Sequence, residues 1–105
     1  MMKTKMMNNS YERSQKLYET IKTYQTELWL NDHETIYTFS DLFRSKIEVG
    51  GEGWIMNITV GTRTIMASVT NLETLEETVY VYGKKDYHKI IILIDGLVNH
   101  YHEGM

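Results

Sequence analysis

Between Trp54 and Val69 the chain alternates apolar and polar positions with a period of two. Trp54, Met56, Ile58 and Val60 are separated by Ile55, Asn57 and Thr59. After Gly61-Thr62, the positions Arg63, Ile65, Ala67 and Val69 are separated by Thr64, Met66 and Ser68. Period two is the mark of a strand with one buried face. Gly61-Thr62 fits a two-residue type II′ turn, whose first position needs φ > 0 and is cheaply filled by Gly. That turn sets Val60 opposite Arg63, Ile58 opposite Ile65, Met56 opposite Ala67 and Trp54 opposite Val69. A one-residue slip would turn the apolar set to water, so turn and pattern support each other.

The same face extends on both sides. Lys46 to Val49 reads as a strand with Ile47 and Val49 inward. Gly50 to Gly53 reads as a four-residue loop that sets Val49 opposite Trp54 and Ile47 opposite Met56. Asn71 to Glu76 is a polar loop. Thr78 to Tyr82 follows as a strand with Val79 and Val81 inward and Tyr80 and Tyr82 outward. Ile36 to Phe39 reads as a short strand followed by a turn, where Ser40 could cap a single helical turn.

Two stretches switch to the helical period. Leu17, Ile21, Tyr24 and Leu28 recur at spacings of 4, 3 and 4, flanked by Tyr11 and Tyr18, which predicts an amphipathic helix over 10–30. Asn9 with Glu12 resembles a capping box, and Asn31-Asp32 would end the helix. Arg13, Lys16, Glu19 and Lys22 fall on its solvated side; Trp29 lies off the stripe. From an Asp86 N-cap, Tyr87, Ile90, Ile91, Ile94, Leu97, Val98 and Tyr101 form a second stripe. The β-branched run Ile90 to Ile94, closed by Asp95-Gly96, competes as a hairpin signal, but the stripe continues past Gly96 and favours helix. Gly96 costs such a helix about 1 kcal/mol relative to Ala and permits close approach of another backbone. The predicted fold is α+β: an N-terminal helix, an antiparallel meander of three to five strands and a C-terminal helix, both helices packed on one sheet face. Residues 1–8 read as a disordered tail, and 9–105 as a single domain.

Composition narrows the function classes. A chain of 105 residues, 42% hydrophobic and 24% charged, is ordinary for a soluble globular domain. No apolar run approaches the roughly 18 residues of a membrane span, and Met1 to Met7 is not followed by the apolar segment of a secretory signal. With no cysteine, disulfides, a thiol nucleophile and Cys-ligated metal are excluded. The net charge of −3 is unevenly spread: residues 1–22 hold five basic and two acidic side chains, and 23–83 hold three basic and nine acidic. A basic helix on an acidic sheet could steer a partner.

Candidate chemistry is sparse. His88, Asp95 and His102 share a helix stripe, but seven residues rise about 10.5 Å and one zinc ion cannot span them. His33 and His100 complete no ligand set. No nucleophile elbow frames the Ser, His and Asp residues, and the glutamates of the Asn71–Glu76 loop read as solvated. The Gly50–Gly53 loop lacks the following helix and Lys-Ser/Thr pair of a phosphate cradle. No cofactor is expected, and no enzymatic role. Eight tyrosines and two tryptophans against two phenylalanines favour binding surfaces. Tyr80 and Tyr82, with Ile55 and Met66, would form an exposed aromatic–aliphatic patch for a partner. The nearby charges are mostly acidic, which argues against a nucleic-acid platform. Ile92 and Leu93, off the stripe and near Gly96, form a self-association seam for a homodimer.

A helix, a short antiparallel meander, acidic loops, a terminal helix and the lack of cysteine together resemble some small phage-encoded anti-CRISPR proteins of the type II class. The resemblance covers the element order of most of the chain and no specific motif, so no family residue is carried over. It implies an inhibitor, made by a phage or mobile element, that blocks a nucleic-acid-processing host protein such as a CRISPR effector in the host cytoplasm. Such inhibitors often present acidic side chains where the target would hold DNA. The acidic residues available for that are Glu52, Glu73, Glu76 and Glu77. The mild net charge and basic first helix depart from that pattern. Alternatives are a nucleic-acid-binding regulator using Lys3, Lys5, Arg13, Lys16 and Lys22, and a homodimeric accessory protein.

Overall fold

The computed structural model describes the backbone of residues 2–30 and 36–103 and, within these, the side chains of 10–30, 36–41 and 43–100. Five strands form one antiparallel sheet in chain order: β1 (Tyr37–Asp41), β2 (Lys46–Gly51), β3 (Trp54–Val60), β4 (Thr64–Asn71) and β5 (Glu77–Gly83). Helix α1 (Met2–Leu30) precedes the sheet and α2 (Tyr87–Glu103) follows it; a 3₁₀ turn (Leu42–Arg44) joins β1 to β2. The meander and both flanking helices are as the periodicities predict. Helix α1 starts earlier than expected, so residues 2–8 belong to it and Asn9 is interior rather than its N-cap. The expected stop at Asn31-Asp32, and His33, lie outside the described residues. Ser40 sits within β1, and the Asp41 carboxylate accepts the Arg44 N–H at 3.4 Å.

The core lies between the helices and one sheet face. Leu17, Ile21 and Leu28 come from α1; Ile90, Ile94 and Val98 come from α2. Ile47, Val49, Trp54, Met56, Ile58, Val60, Ile65 and Ala67 come from the sheet. Each fully buried side chain of this size contributes about 1.5–3 kcal/mol. The helices run parallel and in step. The Lys16 ammonium lies 5.6 Å from the Tyr87 ring centroid, and the Tyr24 hydroxyl donates to Asp95 at 2.6 Å.

Both inner hairpins differ from expectation by a shift of two. In β3–β4, Val60 faces Ile65, Ile58 faces Ala67, Met56 faces Val69 and Trp54 faces Asn71. The Gly61 N–H donates to the Thr64 carbonyl at 2.8 Å, so Thr62-Arg63 rather than Gly61-Thr62 is the turn. The expected register set Arg63 against buried Val60; the observed one replaces that pair with Val60 and Ile65 and leaves the guanidinium in water. In β2–β3, Gly50 and Gly51 are paired strand residues and the turn is Glu52-Gly53, with Gly53 at φ 88°. Val49 therefore faces Met56, and Ile47 faces Ile58. A shift of two keeps every side chain on its face.

Two assignments of face are overturned. The first is Arg13, which is buried rather than solvated. Its Nε and Nη2 donate to the Lys84 carbonyl at 3.1 and 2.9 Å, and Nη1 donates to the Gly61 carbonyl at 2.5 Å. The guanidinium thus ties α1 to the β3–β4 turn and to the β5–α2 connection. The second is β5. Tyr80 faces Ala67 and Tyr82 faces Ile65 on the core side, whereas Val79 and Val81 point outward. The β4–β5 turn decides this. Asn71 Oδ1 accepts the N–H groups of Glu73 (2.8 Å) and Thr74 (3.1 Å), and Leu75 takes φ 65°, so Asn71 pairs with Glu76.

Candidate interaction surface

Both helices cover one face, and among the described residues no element forms a layer on the other face of the sheet. Alternation places three rows across it from β1 to β5. One row is Phe39, Glu48, Asn57, Ser68 and Val79; the next is Asp41, Lys46, Thr59, Met66 and Val81. The third runs Tyr37, Gly50, Ile55, Thr70 and Glu77. Phe39 is 65% exposed, Val81 59%, Val79 51% and Met66 46%, so the largest apolar groups of this face stand in solvent. Ile55 is half-buried among them.

Polar groups frame the patch. The Tyr37 hydroxyl donates to Glu48 at 2.7 Å, and this bond is the main cause that raises the Tyr37 pKa above the ordinary tyrosine value. The Tyr37 ring lies over Gly50, where a Cβ would overlap it. The Ser68 hydroxyl donates to Glu77. A depression of about 300 Å³ opens on this face between Phe39, Lys46, Glu48, Asn57 and Thr59.

The predicted acidic residues converge. Glu52 lies in the β2–β3 turn, and Glu73 and Glu76 bracket the β4–β5 turn. Both turns close the same end of the sheet, and the Leu72 N–H donates to the Gly53 carbonyl at 3.0 Å between them. Glu52, Glu73, Glu76 and Glu77 are exposed. Leu72 (45% exposed) and Leu75 (73% exposed) stand beside them, which gives this end an apolar component as well. The opposite end carries Arg44, Arg63, Lys84 and Lys85, all exposed.

Of the predicted patch, Ile55 and Met66 lie on the open face. Tyr80 and Tyr82 do not: their rings stack in parallel, 6.4 Å apart, on the core side. Burial is the main cause that raises the Tyr82 pKa. Phe39, Val79 and Val81 are the members that sequence reasoning missed. Ile92 is 57% exposed on α2, Leu93 is half-buried, and Gly96 has open space where a side chain would stand. Among the described residues, the expected close approach at Gly96 is not made.

Among the described residues, no three His, Asp or Glu side chains group closely enough to hold a metal ion. Nor, among them, is any helix long and apolar enough to cross a membrane. Comparison with family models, with curated proteins and with solved structures returns no match.

Proposed function

We propose that this chain is a small non-enzymatic protein-binding module that docks a partner protein on its open sheet face. The observation that carries the reading is the open sheet face on which Phe39, Met66, Val79 and Val81 are each 46% or more exposed. Exposed apolar groups of this size, rimmed by polar ones, suit a partner whose surface can cover them. The finer reading is an inhibitor that blocks a nucleic-acid-processing protein of a host, of the CRISPR-effector kind, in the host cytoplasm. It is supported by the acidic end, where Glu52, Glu73 and Glu76 gather beside Leu72 and Leu75. Carboxylates there would meet cationic side chains that otherwise hold phosphates, while the leucines supply contact that DNA does not. Nucleic-acid binding through the first helix is weakened as an alternative, because Arg13 is committed to carbonyl groups.

The test is affinity capture from bacterial lysate, followed by mass spectrometry and an activity assay on what is recovered. The expected catch is a nucleic-acid enzyme inhibited by the added chain. Phe39→Asp with Met66→Asp should abolish capture, and Glu52→Lys with Glu73→Lys should weaken it at least about tenfold. If only nucleic acid is recovered, with binding that falls steeply as salt is raised, the protein-binding reading is wrong.

A further inference from the structure

Strand β5 is an edge of the sheet, and among the described residues no strand pairs with its free side. Proteins usually blunt an exposed edge with lysine, proline, a bulge or a cover. The segment Thr78 to Tyr82 has no charge and no proline. The Asn71 N–H donates to the Glu76 carbonyl at 2.9 Å, which marks that pair as hydrogen-bonded. Antiparallel pairs alternate, so the N–H and C=O groups of Val79 and Val81 point away from β4, toward open solvent. Beside this edge, on the core side, runs an apolar groove of about 380 Å³ lined by Tyr82, Lys89, Ile92, Leu93, Gly96 and Leu97.

We propose that the occupant of this edge and groove is a second copy of the chain, paired antiparallel through β5 to make a continuous ten-stranded sheet. Charge picks the partner and the register. The strand is entered through Glu76 and Glu77 and left through Lys84 and Lys85. With the two-fold axis at Tyr80, Val79 faces Val81 of the other copy, and the two exchange backbone hydrogen bonds. Glu76 then faces Lys84 of the other copy, twice by symmetry. An axis perpendicular to the sheet keeps inner faces together, so both α2 helices lie on the same side. The two grooves merge over a floor made by Tyr80 and Tyr82 of each copy, and exposed Ile92 of each enters the joint space. The open face that carries the proposed partner-binding patch becomes twice as wide.

Sedimentation equilibrium of the full chain across the micromolar range tests this. A dimer is expected, and Val79→Pro should convert it to monomer. The substitution removes an edge donor and leaves the β4 ladder intact, with far-UV circular dichroism reporting retention of the fold. A second arm does not depend on tolerance of proline. Glu76→Lys and Lys84→Glu should each raise the dimer Kd roughly three- to tenfold, and the double variant should restore it. A wild-type chain that stays monomeric overturns the proposal. So does a dimer whose Kd is unchanged in both single charge variants. Neither result bears on Phe39 and Met66, so the partner-binding reading fails or stands separately.

Discussion

Arg13 shows how one buried cation can tie a helix to two connections at once. Its planar fork reaches two carbonyl oxygens, Lys84 and Gly61, on separate turns. Hydrogen bonds from a charged donor are worth more than neutral ones, and deleting the donor leaves both carbonyls short of a partner. Arg13→Ala should therefore cost about 2–4 kcal/mol in urea unfolding. Arg13→Lys should recover little, because an ammonium cannot present the fork. If Lys fully restores stability, the geometry is not what matters. The residue was placeable from the sequence in one respect: Arg13 stands four before Leu17, on the same helical stripe as Ile21. Its charge assigned it to solvent, and only the turns that meet it in space explain why it is inside.

At the scale of strands and turns, period two reports which residues share a face but not which residues face each other. Both inner hairpins were therefore read on the correct face and two residues out of register. For β5 the face was read the wrong way round: Val79 and Val81 in one phase and Tyr80 and Tyr82 in the other are both apolar, and the valines were placed inward. The Asx turn at Asn71 and the left-handed Leu75 settle the phase, and with it half of the candidate patch. Ile55 and Met66 were legible because β3 and β4 alternate cleanly; Phe39 was not, since Ile36 to Phe39 is short and carries apolar side chains in both phases. The glycines of the β2–β3 hairpin carry a prediction that tests the corrected register. A Cβ on Gly51 would lie 2.7 Å from the indole of Trp54, which is 1% exposed and hemmed in by the core. Gly51→Ala should cost about 1–3 kcal/mol as overpacking. A Cβ on Gly50 meets the Tyr37 ring, which is 45% exposed and can swing outward. Gly50→Ala should then cost no more than about 1 kcal/mol, the loss of the Tyr37–Glu48 bond. Equal costs in thermal unfolding would contradict the placement of these two rings.

For the whole molecule, the two helices are joined laterally by a contact that titrates. The Tyr24 hydroxyl, half-buried between α1 and α2, donates to Asp95, and burial first and that carboxylate second push its pKa well above the ordinary value of 10.0. Tyr37 and Tyr82 are shifted the same way, but they lie nearer to solvent. A tyrosine whose pKa is raised on folding holds its proton more tightly in the native state. Its contribution is complete below the unfolded value of about 10 and is lost as pH rises beyond that. A fully shielded group would give a slope of about 1.4 kcal/mol per pH unit; partial exposure of Tyr24 lowers this to about 0.5–1 kcal/mol per unit. Stability should thus be insensitive to these tyrosines near neutrality and fall from about pH 10 upward. Tyr24→Phe should lower the neutral plateau by about 1 kcal/mol through loss of the hydrogen bond, and flatten the alkaline limb. The comparison that decides is of slopes rather than heights. If urea unfolding between pH 9 and 11.5 shows the same alkaline slope for wild type and Tyr24→Phe, the helix–helix contact does not govern alkaline stability.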